Sequence, residues 1–259
     1  AMQYASNLNL TFALRGDVPS LTAKATMHPG TTSYRLGLTG SPSCAEEIGM
    51  ETIIRLSVDT GNSLHVQTVS TAGSVDILRR CKPVTAGLSA ETALHHLLFT
   101  HEDVGRYDTS YKTLPPLRGQ SDVDALIAAV NDGTIDCIVS DHTPCTPFSK
   151  LQDFVVAPQG MIALDTFLPA IYQYLVEPGK MSWQTVARAC SDAPRRLMGL
   201  PPVSLEEGAP ANLVVFDPEG ETPVTDKTLR SRARNTPFLG KTLKGKVEAV
   251  VLGEQLHCF

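Results

Sequence analysis

The sequence has no paired-cysteine motif, a single tryptophan and no long uninterrupted apolar run. Its six cysteines are scattered over 259 residues without a Cys-x-x-Cys pair. This argues against a disulfide framework and a zinc ribbon, and it is typical of reduced thiols in the cytosol. No stretch reaches the roughly 18 consecutive apolar residues of a membrane-spanning helix. A basic region followed by an apolar run is also missing from the start. We therefore expect a cytoplasmic location.

An excess of positive charge is also missing. The formal net charge is −5, which gives no electrostatic basis for binding nucleic acid or an anionic membrane. Hydrophobic residues make up 42% of the chain and charged residues 19%, which is the ordinary range for a globular protein. We therefore expect a folded chain with a sizeable core and no nucleic-acid or membrane partner.

Short apolar runs alternate with longer helical patterns over the first 200 residues. This alternation predicts βα units and a parallel sheet. The predicted strands cover residues 8–14, 64–70, 84–88 and 135–140, and the predicted helices cover residues 44–60, 73–80 and 121–131. Gly133 follows the last of these helices as a stop signal.

The pattern changes around Gly199, and a β-rich module follows from about residue 203. Its predicted strands cover residues 211–217 and 247–253, joined by Pro- and Gly-rich turns without a long helix. We therefore predict an α/β domain over residues 1–202 and a small β-rich domain over residues 203–259. About four βα units precede the boundary, whereas a closed barrel needs eight. The pattern does not decide between an open sheet and part of a barrel.

Several segments resemble one enzyme family in their order along the chain. They include the motif Asp141-His142-Thr143-Pro144, followed by Lys150, and the segments at residues 34–42, 69–72, 112–118, 132–140, 208–217 and 231–240. These segments resemble the dihydroorotase branch of the amidohydrolase superfamily. The resemblance covers nearly the whole chain and about the C-terminal three-fifths of the family's length.

This resemblance implies the C-terminal half of a (β/α)8 barrel with a small β-domain beside it. It also implies reversible ring closure of carbamoyl aspartate to dihydroorotate, with a zinc-bound hydroxide as the nucleophile. In the family, a His-x-His pair, a mid-barrel acidic residue, two further histidines and a late aspartate hold the metal. The His-x-His pair and the acidic residue would lie before residue 1 of this sequence.

Within the chain, four positions of the family pattern carry other residues. Leu14 and Thr68 stand where the resemblance implies the two further histidines, and neither side chain is a good zinc ligand. Leu114 replaces a substrate-binding asparagine, and Cys145 replaces a histidine. The late aspartate, Asp141, and Gly160, whose backbone flanks the substrate in the family, are retained. We therefore predict no metal.

Other roles remain open for these residues. Asp141 could be a catalytic carboxylate, but with its partners missing we favour a structural role at the end of a strand. Cys145 lacks an evident histidine to deprotonate it, which argues against a nucleophile. His95 and His96 are adjacent and should point to different faces, so we expect a surface or packing role and no shared metal. For His65 we expect a packing role.

The resemblance is strongest to noncatalytic homologues that act as structural partners of aspartate transcarbamoylase. On this hypothesis the chain uses no cofactor. The alternative is an active zinc dihydroorotase whose N-terminal segment is not represented here, and a different hydrolysis built on Asp141 is a third possibility. The unpaired sheet edges near Leu8 and Ile135 should be covered by another copy, a partner or the missing segment.

Overall fold

The computed structural model describes residues 1–4, 6–8 and 10–259. Four strands form one parallel sheet with neighbours in the order of the chain: β1 (Thr11–Leu14), β2 (Ser63–Val66), β3 (Leu88–Ala93) and β4 (Cys137–Val139). The parallel order is the one predicted from the alternation of strands and helices. The predicted strand over residues 8–14 includes Asn9, which lies outside the described residues.

Helices occupy the connections between these strands. Their bounds are α1 (Pro19–Thr22), α2 (Thr31–Leu36), α3 (Ser43–Thr60), α4 (Ala72–Cys81), α5 (Leu94–Leu98), α6 (Gln120–Asp132) and α7 (Pro147–Lys150). The three predicted helices correspond to α3, α4 and α6, within one residue at each end. Gly133 ends α6 in the left-handed conformation, with φ of 83°, as its position after the helix predicts.

After β4 the chain is mainly helical up to residue 197. Helix α8 (Phe167–Ile171) continues as a π-helical segment (Tyr172–Val176), and α9 (Trp183–Ala187) leads through a second one (Arg188–Asp192) into α10 (Ala193–Leu197). Four single 3-10 turns lie at Lys82–Val84, His101–Val104, Thr109–Tyr111 and Leu164–Thr166. None of the helices in the described ranges is long and apolar enough to cross a membrane.

The predicted strand over residues 84–88 is wrong. Lys82–Val84 forms a 3-10 turn, Gly87 adopts a left-handed turn conformation with φ of 72°, and β3 begins only at Leu88. The strand was missed because Ser89, Glu91 and Thr92 interrupt its apolar pattern. Similarly, β2 ends at Val66, so the predicted strand over residues 64–70 extends four residues too far.

The C-terminal part forms an antiparallel sheet of β5 (Asn212–Pro223), β6 (Thr242–Leu252) and β7 (Gln255–Cys258). The sequence predicted the first two strands as shorter segments and did not predict β7. Val224, Phe238 and Leu243 lie in the same buried core as Leu64, Val66 and Ile138 of the parallel sheet. The proposed boundary at residue 203 remains a prediction.

Candidate functional site

A polar pocket of about 580 Å³ lies at the carboxyl ends of β1, β2 and β4 and beside Glu91 within β3. The residues that follow each parallel strand meet at this edge of the sheet. Its lining is Arg15, Gln67, Thr68, Glu91, Val139, Ser140, Asp141 and His142. Two of the site residues suggested by the sequence, Thr68 and Asp141, therefore lie in the same pocket.

Leu14 does not contribute to this lining. It ends β1 and packs, partly buried, against the hydrophobic core. Thr68 is 8% exposed and adopts φ of 53°, which is rare for a β-branched residue. The resemblance implies histidines at both positions. Instead, Leu14 packs on the core, and Thr68 has an uncommon backbone conformation.

Asp141 lies two residues after the end of β4 and also has a positive φ, of 43°. Burial, reinforced by the charge of Glu91 and opposed by that of Arg15, raises the pKa of Asp141 to about 6. One of its carboxylate oxygens, Oδ2, lies 3.7 Å from Nε2 of His95. Burial lowers the pKa of His95 to about 3, so the contact is not an ion pair at neutral pH.

His95 and His96 are both 2% exposed, so they pack in the interior and do not lie on the surface. Their ring centroids are 4.5 Å apart. Within the described part of the chain, none of their four ring nitrogens has a hydrogen-bond partner. Burial without a hydrogen-bond partner disfavours the charged form of the ring. The pKa of His96 therefore lies well below its ordinary value.

His65 forms a polar pair where the sequence suggested simple packing. Its Nε2 lies 3.0 Å from Oε2 of Glu91 on the neighbouring strand, and its Nδ1 lies 2.8 Å from Oγ of Ser89. Sequence reasoning missed Glu91. The available signal was a charged residue within an otherwise buried strand, where a buried carboxylate requires a partner.

Leu114, Cys145 and Gly160 lie outside the pocket lining. Leu114 is 39% exposed, and its carbonyl oxygen accepts a 3.3 Å hydrogen bond from Nη1 of Arg15. The backbone N–H of Cys145 donates to Oδ1 of Asn235 at 3.0 Å. Gly160 is buried with φ of 116°, and an added Cβ would meet Cγ2 of Thr143 at 2.4 Å. These three residues shape the surrounding loops.

Asn235 joins two loops beside the pocket. Its Oδ1 accepts from the N–H of Cys145, and its Nδ2 donates to the carbonyl oxygens of Thr143 at 2.9 Å and Gly160 at 3.0 Å. Its own carbonyl oxygen accepts from the N–H of Ile162. A 4% exposed side chain from the C-terminal segment therefore fixes the loops after β4.

A buried ion pair supports the loop after β2. The carboxylate of Glu46 accepts from the backbone N–H groups of Ser70 at 2.9 Å and Thr71 at 3.2 Å, and from the Ser70 hydroxyl. Arg118 lies 3.5 Å from this carboxylate and donates to Ser70 Oγ and to the Ser41 carbonyl oxygen. This network positions the segment that carries Thr68.

The side chains of the pocket do not fit a zinc ion. Among the described residues, no group of three or more His, Cys, Asp and Glu side chains is arranged to hold a metal. Both ring nitrogens of His65 already contact Ser89 and Glu91. Leu14 and Thr68 offer no imidazole, whereas zinc sites in proteins are built from imidazole, thiolate and carboxylate groups.

Comparison with curated sequences identifies dihydroorotases as relatives. The chain is 40% identical over 254 residues to the dihydroorotase of Mycobacterium leprae, a match that covers 97% of this chain and 59% of that protein. It is 39% identical over 253 residues to the dihydroorotase of Pelotomaculum thermopropionicum, covering 98% and 59% of the two chains. The chain thus spans about three-fifths of the length of these curated relatives.

Solved structures show the same fold at low sequence identity. The L-hydantoinase (dihydropyrimidinase) from Arthrobacter aurescens matches 98% of this chain and 58% of its own, with a TM-score of 0.86 and 21% identity. A D-hydantoinase from Thermus sp. matches 97% and 57%, with a TM-score of 0.83 and 23% identity. The sequence pattern of the Amidohydrolase family matches residues 22–255. The chain therefore belongs to the amidohydrolase family and is dihydroorotase-like in sequence.

Proposed function

We propose that this chain is a noncatalytic, dihydroorotase-like protein of pyrimidine biosynthesis that acts as a structural partner of aspartate transcarbamoylase in the cytoplasm. The observation that carries the proposal is the replacement of two implied metal histidines by Leu14 and Thr68. Leu14 packs on the core, and Thr68 brings only a hydroxyl to the pocket. Both lie inside the chain, so a preceding segment would not restore them.

The architecture that we propose is the C-terminal half of a (β/α)8 barrel over residues 1–202, followed by part of a small β-domain over residues 203–259. Four parallel strands in chain order and a match to about three-fifths of the hydantoinase chains support this proposal. In the described sheet, β1 pairs only with β2 and β4 only with β3. Because unpaired strand edges favour association, another copy, a partner or an N-terminal segment would cover them.

Metal analysis of the full-length gene product tests the loss of catalysis. We expect less than about 0.1 zinc per chain after purification without chelator, since a site that lacks ligands binds zinc weakly. We also expect no turnover of dihydroorotate with added zinc. Stoichiometric zinc together with turnover would overturn the proposal.

The partnership requires a separate experiment. Light scattering of the full-length protein mixed with aspartate transcarbamoylase from the same organism, at micromolar concentrations, should show one complex of summed mass. Two unchanged species would contradict the partnership without restoring catalysis. Serum albumin in place of the transcarbamoylase is the control for nonspecific association.

The alternative function is an active zinc dihydroorotase whose N-terminal segment is not represented in this chain. The retention of Asp141 in the pocket and the identity of about 40% to dihydroorotases favour it. It predicts turnover by the full-length product that is abolished by Asp141→Asn. Absence of turnover in the unsubstituted protein would exclude it.

A further inference from the structure

The pocket at the strand ends is lined by charges of both signs that form no ion pair with each other at 4.0 Å or less in the described residues. They are the guanidinium group of Arg15 and the carboxylates of Glu91 and Asp141. Within the described residues, Arg15 makes no ion pair at 4.0 Å or less, and its only side-chain hydrogen bond is to the exposed Leu114 carbonyl at 3.3 Å. The cation is therefore available to an anionic group of a ligand.

His142 lines the same pocket, and its contacts determine which of its ring nitrogens carries the proton. Its Nδ1 accepts from the backbone N–H groups of Ala163 at 3.1 Å and Leu164 at 3.2 Å. Because Nδ1 is the acceptor, the ring proton must reside on Nε2. The pocket lining thus has two donors suited to a carboxylate, the guanidinium group and this N–H.

The two carboxylates of the lining are suited to an ammonium group. Glu91 is oriented by His65 at 3.0 Å, and Asp141 projects from a strand end in a left-handed backbone conformation. Behind Asp141, His95 is 98% buried, and none of its nitrogens has a hydrogen-bond partner among the described residues. Its Nε2 is directed at Asp141 Oδ2 from 3.7 Å.

Two strained residues support a ligand-binding role for this pocket. Only three non-glycine residues of the described chain have positive φ, and two of them, Thr68 and Asp141, line the pocket. Such conformations cost about 1–3 kcal/mol each and concentrate at functional sites. Gln67 and Ser140 complete the lining with an amide and a hydroxyl.

We propose that this pocket binds a small polar α-amino acid without a metal. The carboxylate of the ligand contacts Arg15 and His142, its ammonium group contacts Asp141 and Glu91, and a polar side chain reaches Gln67 and Thr68. The pocket volume of about 580 Å³ exceeds that of such a molecule. The proposal goes beyond a scaffold role and does not depend on the identity of the protein partner.

Titration calorimetry of the full-length protein with L-asparagine, at pH 7.5 in EDTA, tests the proposal. Succinamic acid lacks the amine and 3-aminopropanamide lacks the carboxylate, so the two analogues test each charge separately. We expect a Kd below about 1 mM for L-asparagine and binding at least about tenfold weaker for both analogues. No saturable binding up to about 20 mM, or equal binding of either analogue, would overturn the proposal.

Two variants connect binding to the pocket. Arg15→Gln and Asp141→Asn should each weaken L-asparagine binding at least about tenfold. Arg55→Gln, on the exposed face of α3, is the matched control and should change Kd less than about twofold. Because Arg15 is exposed, its substitution should leave the unfolding midpoint unchanged. Unaltered binding by folded Arg15→Gln would exclude this site.

Discussion

Glu91 and His65 face each other across β3 and β2, with 3.0 Å between Oε2 and Nε2, and both side chains are at least 85% buried. The contact belongs to a chain that continues from Nδ1 to the hydroxyl of Ser89. This polar pair borders the pocket through Glu91, and its contribution to the free energy of unfolding should be measurable.

The first prediction concerns this pair. Glu91→Ala should lower the free energy of unfolding by about 1–3 kcal/mol, because His65 then loses its partner in a buried position. Glu91→Gln, which keeps a hydrogen-bonding side chain, should cost about 1 kcal/mol or less. Urea unfolding followed by circular dichroism measures both. Equal costs for the two variants would show that the hydrogen bond is not the relevant contact.

The second prediction concerns the buried network of Glu46 and Arg118. Arg118→Met should cost about 3–5 kcal/mol, since it leaves the carboxylate buried with its charge uncompensated. Arg80→Met breaks the exposed ion pair with Glu51, at 3.3 Å, and should cost less than about 1 kcal/mol. The two variants remove the same charge and are compared by urea unfolding. A similar cost would contradict the importance of burial.

The third prediction is a loss of stability in acid. Burial, together with the charges of Arg118 and His101 and against that of Asp122, lowers the pKa of His28 to about 4, and burial lowers that of His95 to about 3. Histidines in the unfolded chain titrate near 6.5, so the unfolded state binds more protons below that pH. Stability should therefore fall as the pH decreases below 6.5.

Two carboxylates, Asp141 and Glu47, oppose this trend, because burial raises the pKa of each. The pKa of Asp141 is raised to about 6, so the folded state binds its proton first and gains stability as the pH falls from 6 towards 4. The buried His95 and His96, together with the half-buried His28, outweigh these two groups. Urea midpoints at pH 7.5 and 5.5 measure the net effect. A higher midpoint at pH 5.5 would contradict it, and His28→Gln should reduce the pH dependence.

The fourth prediction concerns Gly160. Gly160→Ala should cost at least about 2 kcal/mol, because the new Cβ would meet Thr143 at 2.4 Å in a conformation with φ of 116°. Gly179→Ala is the control, with φ of 74° and no atom within 4 Å of the new Cβ, and should cost about 1 kcal/mol. Thermal unfolding compares the two. Equal costs would indicate that the loop containing Thr143 can shift and accommodate the new Cβ at little cost in free energy.

Much of the fold could be predicted from local sequence. Helices α3, α4 and α6 follow from apolar periodicity and from stop signals such as Gly133, which act within one or two helical turns. The parallel sheet follows from the alternation of strands and helices. Strand β3 could not be located in this way, because Glu91 is acceptable in its interior only when His65 lies beside it on β2.

The class of fold, the family resemblance and the side chains at positions 14, 68 and 141 could be read from residue identity and order. In contrast, only the folded chain shows that Arg15, Glu91 and Asp141 line one pocket, that His95 and His96 are buried, and that Asn235 connects the loops after β4. These relationships join residues far apart in the chain, such as Asn235 and Thr143 at a separation of 92 residues. They depend on how the strands align and the loops pack, which no local pattern encodes.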